Sequence, residues 1–421
     1  MSRVVHIIGA GLAGLAAAVR LAGGQQNIIL HEAARQAGGR CRSYFDTSLN
    51  MTTDNGNHLL LSGNCDARAF LSAIGSEDQL SWPAEADYAF IDYPTGERWH
   101  LRPNAGPLPW WIFSPLRRVP GTNARDYLEL LRLFILSNDI PLATALRHRG
   151  VAYEKLWRPF FLAALNTDPT EGSSYLAAAV VWETFARGGR ACRPLVAAHG
   201  LSKAFIDPAL DYLAKRGVKV SFEHRLHAID FTGGHAARLD FGEDKVQLEE
   251  SDKVILAVPP YSAREIVPGL QTPETFRAIV NAHFKIAPPK NCPAILGIVN
   301  GTIEWLFAFQ DRLSVTISGA DRLLDMAREE LAKIIWQEVE KVTRIEKPLP
   351  PWQIIKEKRA TFAATIGENA RRPGAVTAYA NLVLAGDWTA TGLPATIEGA
   401  IRSGHRAADI IALLSKKGSP K

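Results

Sequence analysis

Four residues near the amino terminus have the types and the spacing that bind a dinucleotide. Gly9, Gly11 and Gly14 form a G-x-G-x-x-G motif, and Glu32 follows the last glycine by 18 residues. The first glycine permits a tight turn, the second lets the backbone approach a pyrophosphate, and the third allows a helix to pack closely on a strand. A carboxylate at Glu32 can accept hydrogen bonds from both hydroxyls of a ribose. These residues predict that the chain binds a dinucleotide.

Such a site needs a strand, a turn and a helix in that order, and the sequence supplies them. Residues 4–8 are a short β-branched run, and an apolar helical pattern follows the glycines from Leu12 and Ala13 onward. Residues 27–32 provide a second strand, so the chain opens with a βαβ unit whose strands are parallel. The amino end of the helix would direct its unsatisfied amides and its positive dipole end at the phosphates. The alternative, a glycine turn that only packs an ordinary α/β domain, is weakened by this context.

The residues after the second strand resemble a longer flavoprotein motif. Glu32, Ala33, Gly38, Gly39 and Arg40 match the E-A-x(4)-G-G-R extension of the superfamily that contains amine oxidases, protoporphyrinogen oxidase and phytoene desaturases. The resemblance implies that the dinucleotide is FAD. The glycine pair would let the backbone pass close to the FAD, and the arginine would offer a fixed cation to a phosphate.

Segments far along the chain are similar to the same superfamily. Gly386 and Asp387 lie in a block that resembles its closing strand, whose aspartate holds a ribityl hydroxyl of FAD. Thr396 and Ile397 resemble the start of its last helix. The amino end of that helix would face the flavin pyrimidine ring and stabilise negative charge there. Leu226, in a segment that resembles the adenine side of the site, is the expected adenine contact.

The order of these patterns predicts an α/β fold, with a Rossmann-like FAD-binding domain of the amine-oxidase type and an inserted α+β substrate domain. The predicted segments of the discontinuous FAD-binding domain are residues 1–80, 200–260 and 375–421. The substrate-binding domain, which has a helical part, is expected to take up residues 81–199 and 261–374. Apolar spacing predicts helices over residues 124–136, 141–165, 174–187, 201–215, 321–342 and 395–414. Strands are predicted over residues 218–222, 253–258, 294–299, 303–309, 313–318 and 381–385.

The composition is that of a folded globular protein. Of the 421 residues, 47% are hydrophobic and 22% are charged, which argues against disorder. The formal net charge of +5 is too small and too dispersed to predict nucleic-acid binding. The widely separated cysteines exclude the common zinc spacings and a disulfide-stapled secreted fold, so no metal site is predicted. With no evident signal peptide or membrane span, a cytoplasmic location is expected, with peripheral contact to the inner membrane as an addition.

Two absences in the sequence bear on how FAD is held and reduced. No cysteine follows Cys292, so the thioether that some amine oxidases form with flavin near their last strand has no sulfur to use. FAD is therefore expected to bind non-covalently. No second G-x-G-x-x-G follows a strand, so no NAD(P)H domain is predicted and an external electron donor is needed.

Longer blocks resemble one group within this superfamily, the hydroxysqualene dehydroxylases of bacterial hopanoid pathways. The blocks are residues 54–61, 156–167, 359–363 and 385–399. Asn57 stands where the group is expected to have glutamine, and Gly56 and Asn57 are carried over as FAD contacts. The resemblance implies reduction of hydroxysqualene, an allylic alcohol, to squalene. Protonation would let the hydroxyl leave as water, hydride from reduced flavin would capture the cation, and an apolar cavity would hold the long isoprenoid away from water.

His58 is the predicted catalytic residue. Residues 54–58 should run near the flavin, and imidazole titrates in the range that a proton donor to the hydroxyl requires. The alternative is a histidine that orders its loop by hydrogen bonding.

Residues 107–118 combine aromatic side chains with cations. Trp110, Trp111 and Phe113 precede two arginines, a combination suited to a lipid surface, with indoles at headgroup depth and guanidinium groups on phosphates. The alternative is that these aromatic side chains line the substrate cavity or belong to the core.

Three other functions fit parts of the same sequence. A phytoene-type desaturase would pass electrons the opposite way, from a polyprenoid to FAD, and the direction of hydride flow is not visible in the sequence. A flavin-free prenyl-binding carrier resembling the Rab GDP-dissociation inhibitors is disfavoured by the intact glycine motif, Glu32 and Asp387. An amine-oxidase-like activity is the remaining, weaker alternative.

Overall fold

The structure is a computed structural model that describes residues 3–24, 26–81, 83–146 and 149–417. Within these ranges the strands are β1 (Val4–Ile8), β2 (Asn27–His31), β3 (Ser43–Asp46), β4 (Met51–Asp54), β5 (Leu60–Leu61), β6 (Leu80–Ser81), β7 (Tyr88–Asp92), β8 (Arg98–Leu101), β9 (Pro194–Ala197), β10 (Lys219–Ser221), β11 (Ala228–Thr232), β12 (His235–Asp240), β13 (Lys245–Gln247), β14 (Lys253–Leu256), β15 (Phe276–Phe284), β16 (Ile295–Val299), β17 (Trp305–Ala308), β18 (Leu313–Ile317), β19 (Trp352–Phe362) and β20 (Leu382–Leu384). The helices in the same ranges are α1 (Leu12–Leu21), α2 (Cys65–Ile74), α3 (Ala124–Leu128), α4 (Leu142–Ala145), α5 (Arg158–Leu165), α6 (Ser174–Glu183), α7 (Asp207–Ala214), α8 (Pro260–Ile266), α9 (Arg328–Thr343), α10 (Ile366–Ala370) and α11 (Ile397–Lys417).

A five-stranded parallel sheet carries the amino-terminal motif. Its strand order is β10-β2-β1-β14-β20, so segments that are far apart in the sequence become neighbours. The central strands β1 and β14 are in register, with Ile7 opposite Ile255 and Ile8 opposite Leu256. These strands are short and almost wholly buried, as in parallel sheets covered on both faces. Helix α1 packs against α11, which brings the last helix to the glycine motif.

A second sheet of seven strands has the order β19-β15-β18-β17-β16-β7-β8. Its neighbours are antiparallel except for the parallel pair of β16 and β7. Helix α9 packs on this sheet, because Leu331, Ile335 and Val339 recur at helical spacing and are fully buried in its core. This sheet forms one wall of the cavity described below.

Short helices form the third part of the molecule, from α3 to α6. Trp157 and Phe161 are buried here, and the Trp157 ring makes an edge contact with Tyr127 at a centroid distance of 5.7 Å. A π-helical turn over residues 153–157 leads directly into α5. The buried residues of these helices share a core with Phe90 and Trp99 of the second sheet, and residues of α5 and α6 line the cavity described below.

The fold class predicted from the sequence is confirmed. The strands of the parallel sheet all lie in residues 1–80, 200–260 and 375–421, and the strands of the seven-stranded sheet lie in the two intervening segments. A small sheet nevertheless crosses that division, because β9 pairs with both β5 and β6. The domain boundaries therefore stay a prediction.

Several predicted elements differ from the observed ones. The helix expected from residue 321 begins at Arg328, because the chain after β18 first makes a left-handed turn at Gly319 and a short 3₁₀ helix. The helix expected over residues 124–136 continues beyond Leu128 as a 3₁₀ helix. Strands β15 and β19 were not predicted, although they are the longest of the second sheet. Among the described residues, no helix combines the length and the apolar character needed to cross a lipid bilayer.

Candidate functional site

One large cavity, with a volume of about 1090 Å³, lies where the parallel sheet meets the second sheet. On the first side it is lined by residues that directly follow β2, β14 and β20. Ligands of open α/β sheets bind at this edge, outside the carboxyl ends of the strands. On the other side it is lined by residues of β7, β15, β17, β18 and β19.

The glycine motif forms the first part of the cavity wall. A Cβ at Gly14 would lie 1.9 Å from the Gly9 carbonyl oxygen, so this glycine is required for α1 to pack on the turn. A Cβ at Gly11 would meet no atom within 4 Å, and Gly11 lines the cavity together with Leu12 and Ala13. Gly11 is the amino-terminal cap of α1 and has no side chain to satisfy the first amides of the helix. The unfilled space and the free amides fit a phosphate group.

Glu32 is held in place by two backbone amides. Its carboxylate accepts a hydrogen bond from Ala10 N at 2.7 Å and another from Ala34 N at 2.8 Å. Each carboxylate oxygen can accept a further hydrogen bond, and Glu32 lines the cavity. The residue can therefore bind ribose hydroxyls from a fixed position. Ala33 is exposed and does not line the cavity.

Arg40 and Asp387 form an ion pair inside the cavity. Arg40 Nη2 lies 2.7 Å from Asp387 Oδ1 and 2.8 Å from Oδ2, and Arg40 Nη1 donates to the Ala360 carbonyl oxygen. The carboxylate of Asp387 raises the pKa of Arg40, so the guanidinium stays charged. Gly39 and Gly386 lie beside these two residues on the cavity wall. The structure thus places a predicted phosphate ligand and a predicted ribityl ligand against each other, and both roles remain predictions.

The amino end of α11 also opens into the cavity. Thr396 caps the helix, because its hydroxyl accepts a hydrogen bond from Gly399 N at 3.0 Å. Thr396 and Ile397 both line the cavity. The structure therefore brings the last helix to the same cavity as the glycine motif, and its dipole can stabilise negative charge there.

Gly56, Asn57 and His58 lie where the cavity passes from the parallel sheet to the second sheet. Asn57 Nδ2 donates to the Thr316 hydroxyl at 3.1 Å, and Asn57 N donates to Asn281 Oδ1. Both partners belong to the second sheet, so this loop joins the two parts of the cavity.

His58 faces the cavity and is neutral at ordinary pH. Burial and, to a smaller extent, the charge of Arg40 lower its pKa to about 4. Within the described residues its imidazole makes no hydrogen bond, and both roles considered for it, proton donor and loop-ordering residue, stay predictions. A neutral imidazole can still donate one N–H hydrogen bond to a ligand.

Four of the predicted cofactor residues do not line the cavity. Gly9 and Gly14 lie behind the turn and pack the backbone, and Ala33 faces solvent. Leu226 is 7% exposed and belongs to the hydrophobic core. Its predicted contact with adenine stays a prediction.

The apolar half of the cavity contains residues that the sequence did not identify. Tyr88 and Phe90 come from β7, and Phe185 follows α6. Trp305 and Phe307 of β17 line the cavity as well. The only sequence signal was period-two alternation, which does not tell a cavity wall from an ordinary core face.

Comparison with known proteins agrees with this geometry. A family model described as flavin containing amine oxidoreductase matches residues 12–287 and 301–412. The chain therefore belongs to this family of flavoproteins, and its cofactor is FAD.

Similar proteins indicate which members of the family this chain resembles. Hydroxysqualene dehydroxylase from Rhodopseudomonas palustris is 53% identical over 98% of this chain and 99% of the relative. The protein of the same name from Sinorhizobium fredii is 52% identical over 97% of this chain and 98% of the relative. The solved structure of cyclohexylamine oxidase from Brevibacterium oxydans matches with a TM-score of 0.70 at 16% identity, over 99% of both chains, and supports the fold alone. The resemblance to hydroxysqualene dehydroxylases is confirmed.

Proposed function

We propose that this protein reduces hydroxysqualene to squalene with loss of water, as an FAD-dependent oxidoreductase of squalene and hopanoid biosynthesis. The observation that carries the proposal is a single cavity in which dinucleotide-binding residues meet an apolar wall. The names of the relatives and the sequence blocks shared with hydroxysqualene dehydroxylases support the same substrate.

The residues around the first half of the cavity would hold FAD. The amides of Leu12 and Ala13 would bind the pyrophosphate, and Glu32 would bind the ribose. The Arg40–Asp387 pair would bind the ribityl chain between the phosphate and the flavin. Reduced FAD, when bound, supplies a hydride. The amino end of α11 would stabilise the negative charge of the reduced cofactor.

The apolar half would bind the isoprenoid. Phe160, Phe185 and Trp305 present aromatic surface to the cavity, and Ala163 and Ala164 of α5 leave room beside it. Such a wall gains free energy from burying a long hydrocarbon. It also excludes water that would capture a carbocation before reduction.

His58 is the proposed catalytic residue at the junction of the two halves. Because its pKa of about 4 leaves it neutral, its proposed contribution is a hydrogen bond from the ring N–H to the substrate hydroxyl. This interaction would orient the C–O bond toward the cofactor.

Two partners are proposed outside the cavity. The first is an external electron donor, since the sequence has no second dinucleotide motif. The second is the surface of a membrane, from which a water-insoluble isoprenoid must come.

The membrane proposal rests on residues 107–118 and on helices beside them. Trp110, Phe113 and Leu116 are 66%, 61% and 86% exposed, whereas Trp111 is buried. The Trp111 ring contacts Tyr127 of α3 at a centroid distance of 4.9 Å. The neighbouring 3₁₀ helix adds further exposed apolar side chains, namely Leu131, Phe134 and Ile135. An exposed apolar surface of this kind beside arginines fits an anionic lipid surface.

An anaerobic single-turnover experiment tests the proposed reaction. Reduced holoprotein mixed with hydroxysqualene should yield squalene together with reoxidation of the flavin. Oxidised holoprotein that instead converts phytoene to a more unsaturated product would replace the proposal with a desaturase. A purified protein without flavin absorbance would contradict both.

A further inference from the structure

Cleavage of the C–O bond needs a proton, because hydroxide is a poor leaving group. The cavity-lining glutamates serve other groups. Glu32 and Glu398 accept backbone amides, Glu183 accepts a guanidinium N–H from Arg402, and Glu357 accepts a hydrogen bond from Asn55 Nδ2. Asp387 is paired with Arg40. His58 is neutral at ordinary pH. The proposed reaction therefore lacks a proton source among these groups.

Glu304 is a carboxyl that adjoins the apolar wall without lining the cavity itself, and it forms no ion pair within the described residues. It directly precedes Trp305, which lines the cavity, and its Oε2 accepts a hydrogen bond from Ser318 N at 2.9 Å. The Ser318 hydroxyl lies near enough to lower the pKa of the carboxyl, and Ser318 itself lines the cavity. Ser318 is 3% exposed, so this contact is shielded from bulk water.

Ser318 connects the Glu304–Ser318 pair to the part of the cavity near His58. Thr316 belongs to β18 and Ser318 follows the end of that strand, and both residues line the cavity. Thr316 accepts the hydrogen bond from Asn57, the neighbour of His58. Ser318 therefore lies beyond Thr316 on the same cavity wall, two residues from the contact with Asn57.

The surroundings favour the protonated form of the Glu304 carboxyl. Burial raises its pKa to about 7, against the lowering effects of Ser318, Arg322 and Arg158. Arg322 donates to the Gly319 carbonyl oxygen, and Arg158 is paired with Asp168. Asp321, on the same short helix as Arg322, accepts the amide of Ala278.

We propose that Glu304 and Ser318 form a proton relay to the hydroxyl group of the substrate. This inference rests on the proposed function. The C–O bond breaks as the Ser318 hydroxyl gives its proton to the departing oxygen, which leaves as water. Ser318 takes a proton from Glu304, which becomes a carboxylate and is reprotonated from solvent. The electron pair that replaces the C–O bond is the hydride of the reduced cofactor.

The variant Glu304→Gln tests the relay, since it keeps the shape and the acceptor for Ser318 N but cannot release a proton. We expect dehydroxylation in a single turnover to slow by at least about 100-fold, with the bound flavin spectrum unchanged. The wild-type rate should fall as the pH rises through about 7, where Glu304 loses its proton, and the residual rate of the variant should lack this midpoint. Ser318→Ala should show the same loss, and Ser318→Thr should restore most of the rate.

Glu338→Gln is the matched control. Glu338 of α9 is a buried glutamate that does not line the cavity. Its carboxylate accepts hydrogen bonds from the amides of Thr302 and Ile303, which precede Glu304 in the same loop. If Glu338→Gln removes as much activity as Glu304→Gln, or if Glu304→Gln keeps the wild-type rate, the relay is wrong. A wild-type protein that does not convert hydroxysqualene would instead contradict the proposed function.

A second measurement does not depend on activity or on FAD. A carboxyl whose pKa is raised on folding lowers the stability of the protein as the pH rises above its unfolded pKa, because the unfolded state then releases a proton that the folded state keeps. We therefore expect the melting temperature of apo Glu304→Gln to rise relative to wild type between about pH 5 and about pH 8. A difference that stays constant with pH would mean that Glu304 is already ionised, and the relay would be excluded.

Discussion

At the scale of single residues, charged side chains lie at the cofactor side of the cavity, and burial disfavours charge toward the apolar side. Arg40, Asp387 and Glu32 lie at the cofactor side, where each has a partner of opposite charge or a backbone amide. His58 lies at the junction with the apolar side and Glu304 adjoins the apolar wall. Burial disfavours the charged form of both, lowering the pKa of His58 to about 4 and raising that of Glu304 to about 7. Neutral groups at that end suit a reaction that passes through a cation in a dry site.

The variant His58→Ala tests the hydrogen bond proposed for the imidazole. Loss of one N–H donor in the transition state should slow single-turnover dehydroxylation by about 10- to 100-fold, with FAD still bound. Because the pKa of His58 is about 4, an acid role for the imidazolium would make the wild-type rate rise as the pH falls toward 4. We expect no rise of the wild-type rate as the pH falls toward 4. A near-normal rate in His58→Ala would show that His58 is not a catalytic residue.

At the scale of elements, the turn between β1 and α1 distinguishes packing from binding. Gly14 has no room for a methyl group, whereas the space at Gly11 is open toward the cavity and its φ of −73° suits any residue. The same motif therefore contains one glycine that the fold requires and one that the ligand requires.

The pair of variants Gly11→Ala and Gly14→Ala tests this distinction. Gly11→Ala should keep the melting temperature of the apo protein but weaken FAD binding by at least about 10-fold, because its methyl group enters the phosphate cradle. Gly14→Ala should lower the melting temperature or prevent folding, because its methyl group meets the Gly9 carbonyl oxygen. Calorimetry of the apo proteins and FAD titration measure both effects. Equal behaviour of the two variants would contradict this assignment.

A row of histidines connects β1, β2 and the segment after β10. His6 Nδ1 lies 3.1 Å from His31 Nε2, and His31 Nδ1 lies 2.9 Å from His224 Nδ1. Burial is the main cause that lowers the pKa of His31 to about 3, and it lowers the pKa of His6 as well. The charged groups nearest the row are Lys219, Asp252 and Asp244. Since Glu32 follows His31 directly, protonation here would disturb the nucleotide site.

The melting temperature of the apo protein should therefore depend on pH through His31. A histidine whose pKa is lowered on folding contributes stability above its unfolded pKa of about 6.5, and this stability is lost as the pH falls toward 3. We expect a fall of at least a few degrees between about pH 7.5 and about pH 5, and a smaller fall for His31→Gln. His199→Gln, at an exposed position, should behave as wild type. An unchanged acid dependence in His31→Gln would contradict the prediction.

At the scale of the whole molecule, exposed apolar side chains are concentrated in one part of the chain. Many of the large hydrophobic residues that are exposed lie between residues 108 and 182, in segments that also contribute to the apolar half of the cavity. Trp182 of α6 contacts Phe134 at a centroid distance of 5.9 Å, so α6 contributes to the exposed apolar surface. Val180 of the same helix and Phe185, which follows it, line the cavity. A lipid surface bound here would lie close to the isoprenoid site.

Vesicle flotation tests this surface. Wild-type protein should float with vesicles of phosphatidylethanolamine and phosphatidylglycerol at low salt, and the double variant Trp110→Ser, Phe113→Ser should reduce the bound fraction by about 10-fold. Val376→Ser, at another position with an exposed apolar side chain, is the matched control and should float as wild type. Absence of flotation by the wild-type protein at low salt would remove the membrane partner.

The sequence by itself determined the cofactor side of the protein. The glycine spacing and Glu32 are local patterns that predict a dinucleotide, and the blocks near Arg40, Asp387 and Thr396 are local patterns that resemble the flavoprotein superfamily. For that reason the fold class and FAD were predictable from segments hundreds of residues apart.

Only the tertiary structure decided the substrate side. Tyr88, Phe185 and Trp305 come from separate elements, and nothing in their local sequence tells a cavity wall from a core. The protonation of His58 and Glu304 likewise depends on which groups surround them after folding, because burial and neighbouring charges set their pKa values. Strands β15 and β19 escaped prediction for the same reason, since their residues are fixed by pairing across the sheet.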